Sequence, residues 1–530
     1  MIIDGNDLPN DSRVDCDLCI LGGGVAGIVI ANELKDTFGD IVILESGGEE
    51  YTPEAQELNA PASVPELHPD PSYARLRFLG GSSNHWENNT SPFSPIDFEK
   101  RDWIPDSGWP IEYSDVQPFY SRAAFYCGTQ EDGYNIDYWR PRLNGQDILQ
   151  GSDLLVSQIA KFSYPPVRFF HDHGKSLTDS QHIRIFKNSN LVDLKFESAS
   201  RKVKSVEASS NNGGRFTVNA RLFVMCLGGI ENARMLLIFN DKYEKKLGNQ
   251  GDSVGRYHME HPTPRASHLI TQEIDTFSFY EGNDLGSRWV SSYMSLTEQA
   301  LVRHQTTNLR IPLVPATNYT LSDGIASYHV LGDSFKSGEI PENFGTHIYN
   351  FLGDIDEIAE AVSRKKLDKK LFDSASEIGG FEIPAMMEQT PSRDNRIVLG
   401  ESRDRLGLKQ VEIDWRLSEA DKDRVWTSLQ ILANELGALG LGRVKLRKAH
   451  ASRLWSDQLG FSQHHMGSTR MSEDPESGVV DKHQRVFGTD NFFVSGSSVF
   501  TTGSHVPPTL TIVALSIRLA RHLEQEYGNE

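Results

Sequence analysis

Two short, unbroken apolar runs stand near the start of the chain, Asp17-Leu-Cys-Ile-Leu21 and Ile41-Val-Ile-Leu44. Runs of this length without polar alternation predict strands covered on both faces, as in a parallel sheet flanked by helices. Between them Ile28–Leu34 predicts a helix. Farther on, Leu191–Phe196, Lys202–Val206 and Arg215–Val218 alternate and predict strands, with Asn211-Asn-Gly-Gly214 as a hairpin turn. Arg221–Cys226 is apolar again and predicts another buried strand. Helices are expected over Tyr113–Cys127, with Ser114 as N-cap, and over the charged stretch Ile355–Leu371. Another runs from Ser418, whose capping-box partner is Asp421, to about Leu436. A long C-terminal helix begins near Pro508 and carries Ile512, Leu515, Leu519 and Leu523 on one face. Residues 50–75 are rich in Pro and Glu, and 260–380 mix short strands with polar loops. The pattern is α/β, with a parallel-sheet part and a second, less regular part.

The first apolar run ends at Gly22, followed by Gly24 and Gly27, which makes G-x-G-x-x-G between a strand and a helix. The first glycine permits the tight turn. The second lets a pyrophosphate approach the backbone, and the third lets helix and strand pack closely. The helix N-terminus favours an anionic phosphate. Glu45, closing the second run, stands where an acid meets a ribose hydroxyl in such folds. The turn alone does not separate FAD from NAD.

With 530 residues the chain exceeds one ordinary core, so two interleaved domains are expected. A net charge of −20 argues against nucleic acid and against an anionic membrane surface as partners. Cys16, Cys19, Cys127 and Cys226 do not form a disulfide framework, and no ligand set for a metal is apparent. The N-terminus shows no signal-peptide pattern and no stretch reaches membrane-span length, which makes a cytoplasmic enzyme the expectation.

Chemistry concentrates in three further places. Arg77-Phe-Leu-Gly80-Gly81-Ser-Ser83-Asn84-His85-Trp86 is a glycine–serine loop ending in His and Trp. Leu227-Gly-Gly-Ile-Glu231 is a second strand–glycine–helix turn, either a wall of the nucleotide pocket or a plain connection. Near the C-terminus, Gln463-His464-His465-Met466-Gly467 places two histidines before a glycine, and a histidine suits proton abstraction near neutral pH. Asn491-Phe-Phe-Val-Ser-Gly496 then predicts a strand and tight loop, before Pro508 and Thr509 open a helix whose N-terminus can stabilise negative charge.

At these residues, collinearly over nearly the whole chain, the sequence resembles the glucose–methanol–choline (GMC) oxidoreductases. It looks nearest to their sugar-oxidising branch of pyranose oxidases and fructose dehydrogenases. The resemblance implies a Rossmann-like FAD-binding domain interleaved with an α+β substrate domain on an antiparallel sheet. It divides the chain into FAD-binding segments 1–75, 181–260 and 451–530, a flavin loop and covering segment 76–180, and a mainly substrate-binding segment 261–450. It implies FAD as cofactor, contacted by Gly22, Gly24, Gly27, Glu45, Gly80, Gly81, Ser83, Asn84, His85, Val192, Gly496, Pro508 and Thr509. A covalent bond from His85 to the flavin is left open and is not favoured. The implied reaction oxidises an alcohol carbon of a sugar, glycoside or similar polyol, with hydride transfer to flavin N5 and His464 as base. Oxygen or a separate molecule then accepts the electrons. The family places Asn or His directly before Pro-Thr-Leu-Thr; here that residue is Pro507, and His505 is the expected substitute in the site. An FAD-containing lyase and a non-catalytic FAD-binding protein are the alternatives.

Overall fold

The computed structural model describes residues 1–530 except 131, 199, 244–246, 266, 318–322, 338–339, 342–343, 354, 356–357, 359–377, 447–458 and 529–530. Nearly all of the expected helix Ile355–Leu371 lies outside the described residues.

The scaffold is a mostly parallel sheet. In spatial order it runs Ile2–Asp4, Ile183–Lys187, Ile41–Leu44, Ser12–Leu21 and Arg215–Met225, and each neighbouring pair is parallel. Both apolar runs seen in the sequence are central strands here, and Leu18–Leu21 and Ile41–Leu44 are buried. The first strand extends beyond the expected Asp17–Leu21, because Ser12–Cys16 also pair with Phe216–Ala220. Arg215–Met225 is likewise one strand and not two. Its first half pairs antiparallel with Val203–Ser210, and its second half pairs parallel with Phe492–Val494. A change of partner along one strand explains the polar residues Asn219 and Arg221 between two apolar stretches.

Helix Val25–Leu34 packs on the sheet and against the C-terminal helix Thr509–Tyr527. The C-terminal helix buries Leu515, Leu519 and Leu523, while Ile512 is only partly covered because it faces the cavity described below. Ser418 and Asp421 form the expected capping box of helix Glu419–Ala438. Tyr113–Cys127 departs from expectation. It is two 3-10 turns, Tyr113–Asp115 and Gln117–Phe119, followed by helix Tyr120–Tyr126. Pro118 lacks an N–H and disfavours helical geometry at Gln117, which interrupts the helix. Glu112, not Ser114, caps the first turn reciprocally with Asp115.

A second layer is antiparallel. Arg288–Leu296 pairs with Leu155–Ser163, flanked by Asn89–Thr90 and Asn283–Asp284. A further sheet joins Val314–Thr317, Ile378–Ile383, Ser267–Ile270 and Arg443–Leu446. Two small ladders, Leu309–Arg310 with Met386–Met387 and Pro262–Pro264 with Leu459–Phe461, stand between these sheets and the cavity. No described helix is long and apolar enough to cross a membrane.

Candidate active site

A cavity of about 760 Å³ opens at the carboxyl ends of the parallel strands. Ligands of open α/β sheets bind there. Gly22 forms its floor at φ +109°, where an added Cβ would meet the Cys226 carbonyl at 2.6 Å. Gly27 holds the helix against this turn: a Cβ there would lie 2.1 Å from the Gly22 carbonyl oxygen. At Gly24 the same test finds open space, and the residue borders the cavity.

Glu45 lines the cavity, but its carboxylate is already engaged. One oxygen accepts from the Gly23 amide and the other from the Gly47 amide, both at 2.9 Å. The 80–86 loop docks on the glycine turn through the Gly80 amide, which donates to the Gly23 carbonyl at 2.8 Å. Gly81, Ser83, His85 and Trp86 line the cavity. Gly80 and Asn84 do not; the Asn84 amide instead staples the loop to the carbonyls of Leu79 and Gly81, each at 3.0 Å. Val192 is also absent from the lining and is buried on strand Ser189–Phe196. His85 is exposed, with Nε2 against the Ala74 carbonyl at 3.0 Å.

The turn after Arg215–Met225 is a pocket wall: Cys226, Leu227, Gly228, Gly229 and Glu231 all face the cavity. Glu231 sits among Arg77, Arg234 and Arg75 at 2.9, 2.9 and 3.6 Å. Burial alone would raise its pKa, but the guanidiniums outweigh burial and pull it down to about 2. Across the cavity Gly496, Pro508, Thr509 and Ile512 present the start of the C-terminal helix, which has no side-chain cap. The helix after Gly24 is uncapped as well. One cavity therefore receives two helix N-termini with unsatisfied amides, the donor set for an anion at each end of a long ligand. With the open space at Gly24, the residues present fit a dinucleotide: the first helix start could hold its pyrophosphate and the second could face its other end.

His464 lines the same cavity, half-buried. Its segment is tied to residues 258–264 by reciprocal bonds between the Met259 and Met466 backbones, each 3.0 Å. One Glu260 carboxylate oxygen adds to this by accepting the amides of His464 and His261 at 3.0 and 3.2 Å. The junction brings His261 Nδ1 to 2.9 Å from His464 Nδ1.

The tautomers follow from the acceptors. His261 Nε2 lies 3.1 and 3.0 Å from the carbonyls of Gly503 and Ser504, so it carries the proton. Burial pushes the His261 pKa down to about 4, so the ring is neutral and its Nδ1 is a lone pair. His464 Nδ1 must donate to it. Burial first, and then the neighbouring His261 and the Arg310 cation, hold His464 well below the ordinary histidine range. Its Nε2 is therefore an unprotonated base at neutral pH.

His505 does not line the cavity. It is buried beside Tyr293, with ring centroids 6.4 Å apart, and its Nε2 has no partner. Pro507 does line the cavity, and the imidazole that touches His464 is His261's. Sequence reasoning missed His261, and its sole sequence signal was its place in Met259-Glu-His261-Pro, which carries no distinctive chemistry. His465 also borders the cavity, and its ring packs in a cluster with His258, His68 and Glu260.

Strand, glycine turn, helix and acid around one cavity, with a histidine on its wall, define a dinucleotide-binding α/β fold. Residues 391–516 match the GMC oxidoreductase family model. The chain is 24% identical over 558 residues to 6'''-hydroxyparomomycin C oxidase of Streptomyces lividus, covering 95% of this chain and 90% of that protein. It is 22% identical to the fructose dehydrogenase large subunit of Gluconobacter japonicus, covering 96% and 98%. Pyridoxine 4-oxidase from Mesorbium loti shares the fold at TM-score 0.56 and 15% identity, covering 97% of this chain and 100% of that one. Along nearly its whole length the chain is thus similar to oxidases and dehydrogenases, and its C-terminal part matches the GMC oxidoreductase family model.

Proposed function

We propose that the protein oxidises a secondary or primary alcohol of a sugar, glycoside or similar polyol to a ketone or aldehyde, with His464 as the base. The observation that carries this reading is the His261–His464 contact, which leaves His464 Nε2 as a proton acceptor on the wall of the flavin-sized cavity. FAD, when bound, supplies the hydride acceptor. The chain's own part is to position the substrate, accept its hydroxyl proton at His464 Nε2, and exclude water. Gly22, Gly24 and the first helix hold the diphosphate, Glu45 fixes the turn, and Pro508 and Thr509 bring the C-terminal helix dipole to the ring end. Gly27, Gly80 and Asn84 act by shaping these loops. His505, buried beside Tyr293 and outside the cavity lining, does not serve as a second base. Oxygen or a separate carrier removes the electrons.

We infer also that FAD is held without a covalent bond to His85, whose Nε2 is engaged by the Ala74 carbonyl. Acid precipitation tests this: a yellow supernatant is expected, and a yellow pellet would overturn it. The reaction itself is tested by anaerobic mixing of the yellow holoenzyme with neutral sugars and polyols. Bleaching of the flavin bands is expected, and its absence with every alcohol would overturn the reading.

A further inference from the structure

The cavity wall that holds His464 also holds a cation, Arg310, with no ion-pair partner among the described residues. Arg310 ends the short strand Leu309–Arg310, which pairs with Met387 and Met386. It lines the cavity with Asn89, Met386 and His464. Met386 in turn accepts from the Ser462 hydroxyl at 3.2 Å, which fixes this strand beside the His464 segment. Of the five guanidinium donors, one nitrogen donates to Asn89 Oδ1 at 3.3 Å, and the group lies 4.7 Å from the centre of the Tyr293 ring. The buried Nε has no partner. No described carboxylate forms an ion pair with Arg310.

Among the described residues, the other buried or half-buried charges around the cavity are matched. Arg75 and Arg77 face Glu231, Arg265 has Glu382 at 3.6 Å, and Glu45 is bound to backbone amides. Glu87 is exposed on the cavity rim and attracts Arg310 only from a distance. A largely desolvated cation that keeps free donors is costly unless a ligand completes it. Its planar fork matches a carboxylate bidentately.

We propose that the preferred substrate is a hydroxy acid of the sugar series, an aldonic or uronic acid, whose carboxylate is bound by Arg310 while a hydroxyl meets His464. This rests on the alcohol-oxidising reading above and narrows its substrate class. The same cation disfavours amino sugars, so the site selects by repulsion as well as attraction.

The test uses the purified holoenzyme and compares D-glucuronate, D-glucose and D-glucosamine, then D-gluconate and D-glucitol, as reductants of the flavin under anaerobic conditions. The acid of each series is expected to show the highest kcat/KM, and glucosamine the lowest. Arg310→Gln should lower kcat/KM for the acid roughly 10²-fold more than for its neutral counterpart, through KM. Arg310→Lys, which keeps the charge and loses the fork, should fall between. Calorimetric titration with gluconate provides a readout independent of turnover: binding to the wild type and loss of binding in Arg310→Gln, with melting temperature checked for both. The proposal is overturned if neutral and acidic sugars are equal in the wild type. It is also overturned if Arg310→Gln lowers all substrates alike, which would place Arg310 on the cofactor or on a hydroxyl common to all. If no alcohol of any charge bleaches the flavin, the oxidation reading fails, while gluconate titration still decides whether Arg310 binds a carboxylate.

Discussion

His261 Nδ1 lies 2.9 Å from His464 Nδ1, across 203 positions of sequence. Because His261 Nε2 is committed to two carbonyls, this contact dictates which nitrogen of His464 is free. Replacing His261 by Phe removes the acceptor and lets the His464 ring choose either tautomer. Flavin reduction should slow by about 10²-fold. His261→Asn, whose side-chain oxygen can take the Nδ1 position, should restore most of the rate. Equal rates in the Phe and Asn variants would show that the contact only packs.

The acid limb of activity should lie low. Burial, His261 and Arg310 all depress the His464 pKa from its ordinary 6.5. The base stays unprotonated as pH falls through 6.5, and kcat/KM should fall only below that value. Arg310→Gln removes a nearby cation and should move this limb toward higher pH. A wild-type limb at or above 6.5 in the pH profile of kcat/KM for a neutral sugar would contradict the assignment.

Arg101 and Glu388 form a buried ion pair, with side-chain exposures of 2% and 0%. Removing one member strands the other. Arg101→Met should cost about 3–5 kcal/mol, whereas Arg101→Met with Glu388→Leu should cost less, since both charges then leave the interior. Asp97 nearby is pushed up to about 7, first by burial and then by Glu388. Urea unfolding of the three proteins checks the order of stabilities.

Acid should loosen the histidine cluster. Burial depresses the pKa values of His258 and His465 well below 6.5 and lowers that of His68. The unfolded chain then binds more protons than the folded one, so their contribution is present above 6.5 and is lost as pH falls. Glu260, raised to about 8 by burial, acts oppositely: its folded form keeps a proton that the unfolded form loses above 4.5. Three depressed histidines oppose one raised carboxyl, so melting temperature should drop as pH falls from 6.5 toward 5. His465→Gln should flatten that slope, and a slope unchanged by this variant would contradict the account.

What the sequence made legible was what neighbours in the chain decide. Gly22, Gly24 and Gly27 act within one turn, and Ser418 meets Asp421 three residues away. The apolar runs at 18–21 and 41–44 announce burial on both faces. The partner change along Arg215–Met225 was hidden, because it depends on Phe492–Val494, far along the chain. The cavity was legible in its glycine turns and only half legible around His464. His464 stands in a recognisable stretch, but His261 and Arg310 reach it from separate ladders, and neither has local spacing that reports the meeting. His505 looked placed for chemistry by its two-residue offset from Pro507, yet the loop turns its ring toward Tyr293 and away from the cavity lining.

The most direct measurement is anaerobic stopped-flow bleaching of the flavin by a sugar alcohol, wild type against His464→Ala, with bound FAD verified in both from the visible spectrum. The account predicts prompt bleaching in the wild type and a rate lower by roughly 10²–10⁴-fold in the variant, at equal FAD content. Equal rates would contradict it and remove His464 from the chemistry.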